Sequence, residues 1–217
     1  MNKFTKGTIG VAAAGLLLLG AAGVSTTAAN AAASSKIPAP VAAVPALKGG
    51  NTAVALDANF LAALKSLKLT PGVIGTATLT DGSIHFPITG GDVVYWSPTG
   101  HYRPYVQGII LHSGSGLSLT SGKTKVSLTN FTINPGNSIL YGDVAVNGKS
   151  AAVQAPLFNL YGGSLKPLQV QGNDGILTGT TVHLSSTAAG LLDQVFKTTA
   201  VKSQLLIGVA TITAQIQ

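Results

Sequence analysis

Segments in which apolar residues alternate with Thr- and Ser-rich positions, cut at short intervals by turn dipeptides, constrain this chain more than any other feature. Asn147-Gly148 is the sharpest cut, because two adjacent residues that tolerate positive φ suit the two-residue hairpin turn whose twist matches its flanking strands. Asp81-Gly82 carries the same chemistry, Ser121-Gly122 turns again, and Asn134-Pro135-Gly136-Asn137 makes a longer turn. Strands are predicted between these cuts at Val73–Thr80, Ser83–Ile88, Tyr105–His112, Leu117–Thr120, Lys125–Ile133, Leu140–Val146, Ala151–Tyr161, Leu165–Val170, Ile176–Leu184 and Leu205–Ile216. Tyr105–His112 is expected to end at Ser113-Gly114-Ser115-Gly116 before the chain resumes at Leu117. In Lys125–Ile133 the apolar phase slips from Val126 and Leu128 to Phe131 and Ile133. A one-residue slip flips side chains to the other face unless a bulge absorbs it, so a bulge is expected near Asn130. Pro156 marks an edge or a further bulge.

Only two stretches have helical spacing. Phe60, Leu61, Leu64 and Leu67 share a face, opened by Asp57 as N-cap and stopped by Thr70-Pro71-Gly72. A second pattern starts at Ser186 and places Leu191, Leu192, Val195 and Phe196 together. Nine or ten short strands with two short helices predict an all-β, antiparallel sandwich, immunoglobulin-like in texture. Helices do not alternate with strands, which disfavours parallel βαβ winding.

The ends of this pattern set the domain plan. Lys3 and Lys6 precede an almost wholly apolar run, Ile9 to Val24, and small residues follow to Ala31-Ala32-Ala33-Ser34. A basic start, an apolar centre and an A-x-A cleavage pattern read as a signal peptide over 1–33. The run of roughly 15 residues is short of the ~20 that span a bilayer. A Pro- and Ala-rich linker is expected over 34–50, with the β-sandwich domain over 51–217. There is no cysteine, which removes disulfides, thiolate metal sites and a cysteine nucleophile. Once Lys3 and Lys6 leave with the leader, eleven basic residues face six acidic ones, a balance of +5. The bases are scattered singly, so no nucleic-acid stripe forms. Contact with an anionic cell-wall polymer fits the sign of the charge.

Catalytic chemistry is thinly supplied. All six acids are Asp: Asp57, Asp81, Asp92, Asp143, Asp174 and Asp193. Most sit in turns, where Asp bonds its own backbone. His85, His101, His112 and His183 show no metal-ligand spacing, and no Gly-x-Ser-x-Gly elbow or Ser-x-x-Lys motif occurs. The richest recognition chemistry lies in Tyr95 to Tyr105, with three of the five Tyr, the only Trp and the only Arg. Tyr95, Trp96, His101, Tyr102, Arg103 and Tyr105 are therefore candidate ligand-binding residues, together with His112. Aromatic faces there suit a sugar, a planar ligand or a surface protein, and Arg103 suits a carboxylate or phosphate. The competing reading makes it a structured loop whose Trp96 and Tyr105 cover the open end of the core.

Several segments also carry a family likeness: Phe86 to Gly91, the run Gly108 to Gly114 leading into Leu117-Ser118-Leu119, Val126 to Ile133, Leu177 to Leu184, the helix around Leu191 to Phe196, and Leu206 to Ala210. In their order and texture these resemble a group of secreted actinobacterial proteins and, more distantly, the HtaA-type domain, a haem-binding β-sandwich of surface proteins. The resemblance implies an HtaA-like fold. It does not carry over the family's haem ligands. Phe60-Leu61-Ala62-Ala63-Leu64 lacks the ligating Tyr of the first helical segment, and Ser113-Gly114-Ser115-Gly116 replaces a Gly-His-Gly turn.

These readings converge on a secreted or cell-wall-associated β-sandwich that binds or supports rather than catalyses, with no cofactor and no metal. One alternative is haem or another planar ligand, held by Tyr95, Tyr102, His101 or His112. A second is a carbohydrate or cell-wall polymer module that uses the aromatic loop.

Overall fold

A computed structural model describes residues 37–217. The expected leader at 1–33 lies outside these residues. The chain forms β1 (Ala42–Val44), β2 (Gly50–Leu56), α1 (Ala58–Ser66), β3 (Thr70–Gly75), β4 (Thr78–Thr80), β5 (Ser83–Pro87), β6 (Gly90–Tyr95) and β7 (Val106–Ser121). There follow β8 (Thr124–Asn134), β9 (Ile139–Val146), β10 (Lys149–Tyr161), β11 (Gln169–Gln171), β12 (Asp174–Leu184), α2 (Ser186–Phe196) and β13 (Leu206–Gln215). All pairings are antiparallel, in the order β1-β6-β7-β8-β9-β10-β12-β13-β2-β5-β4, with β3 beside β7 and β11 beside β12.

This one sheet curls back on itself into two facing layers, as the antiparallel sandwich requires. β10 carries the curl. It shows three register shifts against β9 and meets β12 only over Phe158–Tyr161. Across the core, Phe86 of β5 meets Phe131 of β8 edge-on at 5.3 Å, and Phe131 meets Phe158 of β10 at 6.4 Å. Leu157, Val126 and Val144 are buried nearby. Burying such side chains contributes roughly 1.5–3 kcal/mol each.

Local chemistry explains the punctuation. Asn147 and Gly148 both take positive φ, 50° and 79°, and close the β9–β10 hairpin in the primed turn their residue types favour. The bulge falls where the phase slip put it, between Thr129 and Thr132 against β9, with Asn130 at φ 53°. Asp143 locks it. Its carboxylate accepts from Asn130 Nδ2 and from the backbone N–H of Gln154, each at 2.9 Å. Those bonds hold the Asp143 carboxyl below its ordinary pKa, the Asn130 amide contributing most. Asp57 caps α1 through Asn59 N and Phe60 N, and Ser185 caps α2 through Ala188 N. α2 lies over the first half of β8, where Val126 and Leu128 face Ala188 and Leu192.

Four expectations change. Ser113–Gly116 does not end a strand; β7 runs through it for 16 residues, and a bulge between His112 and Gly116 absorbs the extra length. Only Gln169 and Val170 of the expected Leu165–Val170 strand pair with a neighbour, as part of β11, and 162–168 runs as a strap. From Ile37 on, the expected linker belongs to the domain: Ala42–Val44 pairs with β6, and Leu47 is buried. Gly90–Tyr95, left between two predicted loops, is a strand whose glycines take φ values of 157° and 119° and hid its pattern.

Candidate functional site: an apolar cavity and its aromatic border

The curled sheet does not close tightly at the end of β8 away from α2. A cavity of about 300 Å³ remains there. Val93 and Tyr95 of β6, Ile110 of β7, and Ile133 with Pro135 at the end of β8 form one wall. Leu177 of β12 and Ile212 and Ala214 of β13 form the facing wall. Two peripheral segments complete it: Ala42, Val44 and Leu47 from the N-terminal strap, and Leu165, Leu168 and Val170 from the strap after β10. No lining side chain is charged, and the polar ones are Tyr95, Tyr105, Ser138 and Thr180.

The second strap is held by few bonds. Ser164 Oγ donates to Gly179 O at 2.8 Å, Lys166 N to Thr178 O at 2.9 Å, and Leu168 N to the Tyr95 hydroxyl at 3.4 Å. Gly179 is required for this seat. Its φ is 108°, and a Cβ there would lie 2.2 Å from Ser164 O. Val170, at the rim, is 61% exposed although it lines the cavity.

The structure brings six of the seven predicted site residues together on the loop beside the cavity and leaves one apart. Tyr95 and Tyr105 line the cavity with their rings edge-on at 6.3 Å. Burial raises the Tyr105 pKa above its ordinary value, Tyr95 adds to the rise, and Arg103 opposes it. Trp96 is buried, its ring 4.7 Å from that of Tyr102 and tilted 49° to it, and its Nε1–H donates to Pro38 O at 2.8 Å. A ring so covered offers little open face for a sugar to stack on, in keeping with the reading of Trp96 as a cover of the core. Arg103 lies over the Tyr105 ring at 5.2 Å, and its guanidinium donates to the carbonyls of Pro98, Gly100 and Tyr102. Three of its five N–H donors thus serve its own loop, and Nε–H and one Nη2–H remain on this exposed side chain. His101 is exposed at the loop tip.

His112 lies elsewhere, deep in the core and 1% exposed. Its Nε2 is 2.8 Å from Thr52 Oγ1, which ties β7 to β2 across the two layers, and its ring meets Phe86 edge-on at 6.4 Å. Nδ1 has no hydrogen-bond partner. Burial lowers its pKa to about 4; the backbone of Phe131 pulls weakly the other way without reaching hydrogen-bond geometry at Nδ1. A second, smaller cavity of about 40 Å³ borders it, lined otherwise by Thr52 and apolar side chains. Among the described residues no group of three His, Cys, Asp or Glu is placed to hold a metal ion.

The cavity itself was not foreseen. Its lining comes from eight strands and their connections, each contributing one to three aliphatic residues that read singly as core. The one local signal was the Leu- and Val-bearing strap after a Gly-Gly pair at 162–163.

No protein-family model matches the chain, and no curated protein sequence matches it. In structure, the C-terminal domain of HtaA from Corynebacterium glutamicum is similar: 15% identity, TM-score 0.52, covering 79% of this chain and 99% of that one. The heme binding protein HtaB from the same organism gives 12% identity and a TM-score of 0.49, with 80% and 96% covered. The chain thus has an HtaA-like antiparallel β fold, as a distant structural likeness.

Proposed function

We propose that this chain is an exported small-molecule-binding β-sandwich that works by holding a ligand rather than by catalysis. The apolar cavity is its ligand site. The single observation that carries this reading is the cavity: about 300 Å³ of unfilled space inside a domain where close packing is the rule. A volume of that size falls at the lower end of the ~300–1,000 Å³ range for small-molecule sites. Export rests on the leader pattern, with the cell surface or its surroundings as the place of action.

Haem is the planar ligand that an HtaA-like fold suggests, and HtaB is named for binding it. This cavity fits it poorly. Two carboxylates would meet no charged side chain among the lining residues. Tyr95 and Tyr105 are the lining phenols that could ligate iron, and burial opposes ionisation of Tyr105. His101, Tyr102 and His112 do not line the cavity. The fit favours a ligand of lower polarity.

The test is to recover the cargo. Protein secreted by a native-like host is purified, extracted with organic solvent, and the extract analysed by mass spectrometry beside a haem titration. One apolar small molecule per chain is expected, with no Soret shift on adding haem. An empty extract, combined with no change in melting temperature across a set of apolar probes, would contradict the proposal.

A further inference from the structure

The chemistry of the lining is narrower than that of a general apolar pocket. The lining is mainly aliphatic, Ser138 and Thr180 aside, and the hydroxyls of Tyr95 and Tyr105 both lie against the second strap, one at Leu168 N and the other beside Gly162. The Tyr95 hydroxyl already accepts a long bond from Leu168 N at 3.4 Å, so it retains a hydrogen to donate. The Tyr105 hydroxyl makes no hydrogen bond among the described residues, and burial raises its pKa above the ordinary phenol value. A buried anion needs a paired cation or several strong donors. The nearest guanidinium, Arg103, faces the Tyr105 ring and donates to three carbonyls of its own loop. A dry cavity of ~150 Å³ already accepts benzene, and this one has about twice that room.

Resting on the reading of this cavity as the ligand site, we infer that it selects an uncharged, mainly hydrocarbon ligand bearing one hydrogen-bonding oxygen, which the Tyr95 and Tyr105 hydroxyls receive. The aliphatic walls take the hydrocarbon body. The hydroxyl pair accepts or donates to an alcohol, aldehyde or ketone oxygen and so fixes which end enters. The strap over 162–168, held to the sheet mainly by Ser164 on Gly179 and Lys166 on Thr178, is the wall with the fewest anchors and the one next to the exposed rim residue Val170. An acid with the same chain must either leave its carboxylate at that rim or take up a proton, and both weaken binding at neutral pH.

The experiment compares 1-decanol with decanoate by calorimetric titration at pH 8 on the full secreted protein. Tyr105→Phe, Leu177→Phe and Ala214→Leu are measured beside it, with Trp96 emission and melting temperature reporting that each variant folds. The inference predicts at least tenfold tighter binding of the alcohol, about fivefold weaker alcohol binding in Tyr105→Phe, and loss of binding in whichever cavity-filling variant folds. Decanoate binding as tightly as the alcohol, or alcohol binding indifferent to Tyr105→Phe, overturns the inference while the cavity stands as a site. Failure of both probes, with the melting temperature unmoved by either, overturns the reading on which it rests.

Discussion

His112 shows how one residue acquires a role that strand alternation cannot reveal. Its alternation places it in a strand, but the bulge between His112 and Gly116 and the curl of the sheet decide which layer its ring meets. Buried against Phe86 and bonded to Thr52, it stays neutral in the fold. Its folded pKa of about 4 lies below the ordinary 6.5, so between these values the unfolded chain binds a proton that the folded chain refuses. Stability therefore falls as pH drops from about 6.5 to about 4, and His112 adds no further loss below that. The full swing is on the order of 3 kcal/mol. His112→Gln should be less stable at pH 7 yet show a flatter urea midpoint between pH 6.5 and 4.5, followed by Trp96 emission. An equally steep acid limb in the variant would assign that limb to other groups. Arg103 makes the complementary point. Its chemistry suited an anion, but which carbonyls a loop turns inward is settled only when the loop closes.

At the level of elements, caps and two-residue turns were the features that could be read locally. Caps and turns depend on a few neighbouring residues, so Asp57 and the Asn147-Gly148 hairpin announce themselves. The bulge at Asn130 is visible because a bulge must leave a phase slip in a half-buried strand. β1, β2 and β6 are not visible, because short or Gly-led strands acquire their register from partners distant in the chain. Ser185 joins two elements. It caps α2 through Ala188 N at 2.9 Å and donates to Pro156 O of β10 at 2.7 Å, and it is buried. Ser185→Ala removes the cap and leaves a half-buried carbonyl, Pro156 O, without that donor. It should lower unfolding free energy by roughly 2 kcal/mol in urea. The exposed cap variant Asp57→Ala should cost about 1 kcal/mol. Equal costs for the two would show that Ser185 acts on the helix alone.

For the molecule as a whole, the sandwich follows from the strand count and the turn chemistry, but the space inside it does not. A cavity exists where aliphatic residues from the two layers fail to meet, and that gap is a property of curvature rather than of any segment. The two straps, 37–47 and 162–170, roof the gap. The N-terminal strap also covers Trp96 through Pro38, while Tyr95 and Tyr105 line the cavity. The central claim is that this interior space receives a ligand. Methyl-labelled NMR tests it most directly, with 1-decanol titrated into the full secreted protein while Leu, Val and Ile methyl signals are followed. The account predicts saturable shifts at Leu160, Leu177 and Ile212, which line the cavity, and none at Leu157 or Val126 beneath α2. Shifts confined to exposed methyls such as Val153, or no saturable shift at all, would contradict it.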